Sequence, residues 1–176
     1  MNYYYLAATL PMLSLKEKPA LSLEEFRFAC NTHLSRSDMT ALRKIESSYD
    51  DPSRLDKDAP THTFVRDWEK KEMQLRNTVA MQRASRLNND AADVREGVPV
   101  DVTLARKVNE ALAVENPAER ELALDRIRWN EVEELAGYDS FSDRAVLAYA
   151  VKLLLAHRHA SFDKQTGKEK LEEMVS

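Results

Sequence analysis

Glycine is scarce in this chain: three residues in 176, at positions 97, 137 and 167. A phosphate-cradling loop and a dinucleotide-binding turn both need clustered glycines, because the backbone must approach the phosphate without a Cβ in the way. Neither can be built here. With only six prolines as well, the chain is poorly equipped for sandwiches or doubly wound sheets, whose tight turns use glycine. Cysteine occurs once, at Cys30, which excludes an internal disulfide and a cysteine-based zinc site and suits a reducing compartment. Long apolar runs are missing too. The longest, Ala145 to Ala156, is interrupted by Lys152, whereas a bilayer span needs about 20 residues. The N-terminus has no basic start, and Pro11 breaks its apolar stretch, so it makes a poor signal peptide. An excess of positive charge is also absent. The net charge is −4, which argues against non-specific nucleic-acid binding.

Charged residues make up 32 % and hydrophobic residues 43 % of the chain. Abundant Ala, Leu, Glu, Arg and Lys favour helix throughout. The expectation is an all-α, irregular helical bundle of six to eight helices with one long helix around 61–88. It forms a single helical domain over 1–176, or two lobes hinged at the polar, proline-flanked connector 49–60.

Start signals divide the chain. Ser22 and Glu25 form a capping box ahead of a helix carrying Phe26, Cys30 and Leu34. Ser35 or Ser37 opens the next, with Met39, Leu42 and Ile45. From Thr61 to Asn88, Phe64, Trp68, Leu75 and Val79 make a stripe at helical spacing, and Asn88 and Asn89 suit its end. Asp101 can cap a helix with Leu104, Val108 and Leu112 inward. Asn116 followed by Pro117 starts another, which closes at Gly137 as a left-handed cap. Its apolar residues fall on two sides: Leu122, Trp129, Val132 and Ala136 on one, Leu124, Ile127 and Leu135 on the other. Such a helix packs between two neighbours. Ser140 or Ser142 opens a strongly apolar helix over 143–160, and a last helix covers 165–175.

The side chains that carry chemistry do not assemble into a motif. His157 and His159 are two apart and diverge on a helix. Neither Glu-x-x-His nor His-Glu-x-x-His occurs, so no metal site is expected. Cys30 shares an apolar face with Phe26 and Leu34 and reads as core, not nucleophile. Adjacent acids such as Asp50/Asp51, Glu133/Glu134 and Glu172/Glu173 read as solvated surface. No catalytic or cofactor-binding residue is assigned, and the chain is not expected to be an enzyme.

Two features suit a partner instead. The opening segment places Tyr3, Tyr4, Tyr5 and Leu6 at a chain end that would normally fray; residues 2–10 read as a short helix, with a strand as the alternative that the tyrosine run allows. Tyrosine is enriched at interfaces, although the same residues could pack into the domain's own core. The long helix carries Arg66, Lys70, Lys71, Arg76, Arg83 and Arg86 against Asp67, Glu69 and Glu72. This is either a solvated face with acid–base pairs or a basic stripe for an acidic partner. The candidate partner interface is therefore Tyr3, Tyr4, Tyr5, Leu6, Arg66 and Lys70.

The run Asn2-Tyr3-Tyr4-Tyr5-Leu6-Ala7-Ala8-Thr9-Leu10-Pro11, followed by Ser22-Leu23-Glu24-Glu25-Phe26, resembles a bacterial family of unknown function encoded among V/A-type ATPase subunits. Val146 to Leu153, continuing to Gly167, fits the same family. That family is similar to the C subunit of the V/A-type ATPase, an all-helical funnel on the membrane rotor ring that receives the central stalk. The resemblance implies a non-enzymatic subunit, adaptor or regulator, with rotary-ATPase stalk or rotor subunits as partners. It would be cytoplasmic, or peripheral to the inner membrane through that complex. The chain is much shorter than that funnel protein and could not supply the whole of it. Two other classes stand beside this reading. One is a helical-bundle enzyme or small-ligand carrier, which a deep pocket with a charged residue among Trp68, Trp129 and Tyr149 would favour. The other is a cytoplasmic regulator that homodimerises through its long helix.

Overall fold

Local capping signals start most helices where the sequence places them, in a computed structural model that describes residues 3–51, 62–87 and 101–175, with side chains through residue 161. Helix α1 spans Tyr4–Thr9. Helix α2, Leu23–His33, begins with a complete capping box. The Ser22 hydroxyl accepts from the Glu25 amide at 3.2 Å, and the Glu25 carboxylate accepts from the Ser22 amide at 2.9 Å. Two orphan donors are thereby satisfied. Ser35 caps α3, Arg36–Asp50. Next, α4 covers Thr63–Arg86 and is capped by His62. Asp101 caps α5, Val102–Leu112, and Asn116 caps α6, Pro117–Ala136. Asp143–Val175 forms α7. The described residues thus form seven helices and no strand, an all-α bundle.

Three boundaries differ from the sequence reading. First, Tyr49 and Asp50 belong to α3 and not to the connector; burying the Tyr49 ring extends the helix, and its hydroxyl donates to the Leu154 carbonyl at 3.3 Å. Asp51 is the C-cap of α3; the connector from residue 52 on, the hinge expected there, the Asn88-Asn89 end and Gly97 lie outside the described residues. Second, the helices expected at 143–160 and 165–175 are one helix of 33 residues, about 50 Å long at 1.5 Å per residue. No proline interrupts it, and a lone glycine such as Gly167 costs only about 1 kcal/mol in a helix. Third, Gly137 has positive φ (76°), but its ψ of −163° puts it in an extended mirror region and not in the left-handed helical one. Only glycine visits that region readily. It lets the chain leave α6 and return within a few residues to Ser142, whose hydroxyl accepts from the Ala145 amide at 3.2 Å and starts α7.

The apolar side chains fall into two cores. The larger gathers Leu6, Phe26, Cys30, Leu42, Ile45, Phe64, Trp68 and Val132 around Val146 to Leu155 of α7. The smaller joins α4, α5 and α6 through Leu75, Leu104, Val108, Leu112, Leu124 and Ile127. Helix α6 contributes to both, as its two-sided pattern implied, with Leu122, Trp129, Val132 and Ala136 in the first and Leu124 and Ile127 in the second. Leu135 is the exception and packs with the first. Helix α4 is split too: Phe64 and Trp68 serve the larger core, Leu75 and Val79 the smaller.

A buried ionic network holds the seam between the cores. Arg128 of α6 donates to Glu72 of α4 at 2.9 Å and to Asp125 at 3.1 Å, and Arg158 of α7 donates to Asp125. Arg76 also donates to Glu72, at 2.7 Å. Glu69, Glu72 and Asp125 are buried. Two acids of the long helix are therefore interior here, not part of the solvated face that its charge run suggested.

Leu147 is wholly buried in α7. Leu147→Ala should destabilise the protein by about 3 kcal/mol through lost transfer energy and a cavity. Phe28→Ala, at a ring that is 78 % exposed, should stay within about 0.5 kcal/mol. Urea unfolding followed by circular dichroism distinguishes the two.

Candidate functional site

The N-terminal segment is fixed by hydrogen bonds that only the folded chain assembles. The Tyr3 ring is buried. Its hydroxyl donates to Asp38 Oδ2 and accepts from the Ser35 amide at 3.0 Å. Its own amide donates to the Phe141 carbonyl at 2.6 Å. Asp38 Oδ1 lies 3.7 Å from His62 Nε2, which is 3.0 Å from Asp143 Oδ2. These groups stand at the start of α1, in the first turn of α3, at the cap of α4 and at the start of α7. Helix N-termini carry unsatisfied amides and partial positive charge, so two carboxylates are stable where such ends converge.

Asp38, His62 and Asp143 could offer a metal ion three ligand atoms within 4.8 Å of one another, a grouping that linear spacing does not reveal. The hydrogen bonds favour a different role. The Phe64 amide donates to His62 Nδ1 at 3.2 Å. An amide can only donate, so Nδ1 holds the lone pair and Nε2 carries the proton, directed at Asp143. A metal on Nε2 would require that proton to move to Nδ1, and α4 would lose its cap. Burial works against the charge on Asp143, but hydrogen bonds from His62 and the Arg144 amide outweigh it and hold the carboxyl below its ordinary value.

This hub divides the proposed interface residues. Tyr3 and Leu6 are core, 5 % and 1 % exposed, and are not available to a partner. The reason is helical geometry: α1 turns them inward, onto Asp38 and the large core. Tyr4 and Tyr5 face outward at 56 % and 79 % exposure. Their rings meet edge to face at 5.8 Å, and Tyr4 packs on Phe141 at 4.8 Å. Tyr138, also exposed, lies on the same short connection between α6 and α7 as Phe141. The result is an aromatic ledge on a rigid base. Phe141 and Tyr138 carry no signal in the sequence, because nothing local links residues 4 and 141. Arg66 and Lys70 are exposed on α4. They sit one and two turns beyond the His62 cap, four residues apart and so on one face.

Cys30 is wholly buried and burial, with Glu46 nearby, pushes its thiol up to about 12. A thiol so placed is inert. No helix among the described residues is long and apolar enough to cross a membrane.

Tyr3→Phe should cost about 1–3 kcal/mol in urea unfolding, because it strips a buried carboxylate of its donor. The depressed Asp143 pKa contributes to the acid limb. Its stabilising effect is full above the unfolded value of 3.8 and fades as pH falls through the lower folded value. Asp143→Asn should flatten that part of the stability–pH curve, measured by thermal melts between about pH 2 and 5.

A family described as a protein of unknown function (DUF2764) matches residues 97–176, just under half of the chain. The matched stretch carries α5, α6 and α7, including the Val146–Leu153 segment, and leaves the tyrosine ledge of α1 outside it. No curated protein and no solved structure matches the chain.

Proposed function

We propose that this protein is a non-enzymatic subunit, adaptor or regulator of a V/A-type rotary ATPase, similar in role to the C subunit of the central stalk. The observation that carries the reading is the aromatic ledge. Tyr3 and Leu6 are spent on anchoring, and their anchoring presents Tyr4 and Tyr5 to solvent in a fixed orientation. An aromatic pair held rigid by a folded base loses little entropy on docking, and tyrosine offers a large contact area with a polar tip. Arg66 and Lys70 add positive charge on another helix, suited to an acidic surface on the same partner. The sequence resemblance of the N-terminal segment supplies the identity of the partner. The role would be mechanical, a helical wedge seated against stalk or rotor subunits, with the protein peripheral to the membrane through that complex.

Affinity capture from native cells tests this, using tagged protein, detergent-solubilised membranes and mass spectrometry. Wild type should recover rotary-ATPase subunits in stoichiometric amounts. The double variant Tyr4→Ser, Tyr5→Ser should recover them about tenfold less, as expected when exposed aromatic hot spots are removed, while its helical circular dichroism is unchanged. If no ATPase subunit is recovered although the ATPase is present in the extract, the proposal fails.

A further inference from the structure

A cleft of about 350 Å³ opens beside the buried ionic network, lined by Tyr49, Trp68, Glu72, Arg76, Arg128 and Arg158 among others. Its volume is in the range of small-molecule sites. Trp68, Tyr49 and Leu155 supply its apolar lining, with the Arg158 guanidinium lying over the Tyr49 ring at 5.9 Å. The opposite character comes from three guanidinium groups, Arg76, Arg128 and Arg158, which face only two buried carboxylates, Glu72 and Asp125. Arg128 and Arg158 balance these two inside the protein, while Arg76, 42 % exposed, adds positive charge at the mouth of the cleft, where Asp50 also lies.

The hydrogen bonds show which guanidinium donors remain open. All three nitrogens of Arg128 are engaged, with Nε and Nη2 on Glu72 and Nη1 on Asp125. Arg158 reaches Asp125 through Nη2, but its buried Nε has no hydrogen-bond partner among the described residues. A buried donor left unmade costs free energy, and native structures rarely leave one without a reason. Arg76 bonds Glu72 through Nε, and its side chain is 42 % exposed. Two guanidinium groups on one cavity thus retain donor capacity.

We propose that this cleft binds a singly charged organic carboxylate with a flat apolar body. Its carboxylate would be held by Arg158 and Arg76, and its body would lie against Trp68, since the Tyr49 ring already carries the Arg158 guanidinium. Guanidinium forks match carboxylates in geometry and charge. The limit of one negative charge follows from the rim. Asp50 lines the cleft, and Ser48 to Asp50 bring the carbonyl end of α3 to the same edge. Both disfavour a second negative charge on the ligand. The site is independent of the aromatic ledge and does not rest on the ATPase assignment. A deep pocket with a charged residue among Trp68, Trp129 and Tyr149 is the feature that would favour a ligand carrier, and of these three only Trp68 lines this cleft. Trp129 and Tyr149 are engaged elsewhere, with Lys152 over the Trp129 ring and the Tyr149 hydroxyl donating to the Pro11 carbonyl.

Benzoate is a suitable probe, with benzamide as its uncharged counterpart and inorganic phosphate as the more highly charged one. Titrations would follow Trp68 emission in the full-length Trp129→Phe protein, with calorimetry on wild type as a second readout. Benzoate should saturate, benzamide should not, and phosphate should bind more weakly than benzoate. Arg158→Gln and Arg76→Gln should each weaken benzoate about tenfold, the loss expected for one charge-assisted contact. Arg76 is the safer variant, because Glu72 keeps Arg128 as its partner. Absence of saturable benzoate binding, equal binding of benzamide, tighter binding of phosphate, or an unchanged affinity in Arg76→Gln would each overturn the proposal.

Discussion

Arg128 sits where the two hydrophobic cores meet, and its charge is the constraint around which the bundle closes. Burial works against that charge, but attraction to Glu72 and then Asp125 outweighs it and raises the guanidinium pKa above its ordinary value. Glu72 comes from α4, Asp125 and Arg128 from α6, and Arg158 from α7. The apolar side chains of the two cores could tolerate some sliding, since hydrophobic contact is non-directional. A fork of guanidinium nitrogens on two carboxylates could not. Removing one partner of such a buried pair typically costs about 3–5 kcal/mol, because the other charge is left stranded. The network therefore sets the register of α4, α6 and α7, and the character of the cleft at its edge follows from the guanidinium groups that line it.

The N-terminal hub works by the same logic at the start of α7. Asp38 and Asp143 are held where helix starts converge, one bound by the Tyr3 hydroxyl, the other by His62. This changes the meaning of the tyrosine run. Three consecutive tyrosines look like one sticky unit, yet a helix turns about 100° per residue and sorts them into an anchor and a displayed pair. The anchor fixes the angle at which Tyr4 and Tyr5 leave the surface, and Phe141 packs against Tyr4 from a remote part of the chain. Rigidity and exposure arise together, which is the property a docking ledge requires.

Much of the fold is legible in the chain because its signals are local. Ser22 with Glu25, Ser35, Asp101, and Asn116 with Pro117 each satisfy amides within a few residues, and the structure uses every one. The two-sided pattern of α6 announced a helix between two neighbours, and only Leu135 falls on the other side from the one expected. The burial of Cys30 followed from its neighbours on one helical face. The acids of α4 mislead for a physical reason. Glu69 and Glu72 alternate with lysines and arginines in a pattern that solvated helices also show, and the cations that make their burial tolerable come largely from elsewhere. Arg128 pairs with Glu72 from 56 residues away, and Lys44 approaches Glu69 at 3.7 Å.

Composition and capping by themselves determined that this protein is all-helical, roughly where its helices begin, and which faces turn inward. These depend on backbone hydrogen bonds and apolar periodicity, which act over a turn or two. Tertiary structure alone decided which tyrosines are buried, which carboxylates are paired, and that α7 runs unbroken past residue 160. It also decided that Tyr49, Trp68, Arg76, Arg128 and Arg158 share a cleft. Charge pairing and cavity formation join residues far apart in sequence, and their energies depend on burial, which does not exist until the helices have packed.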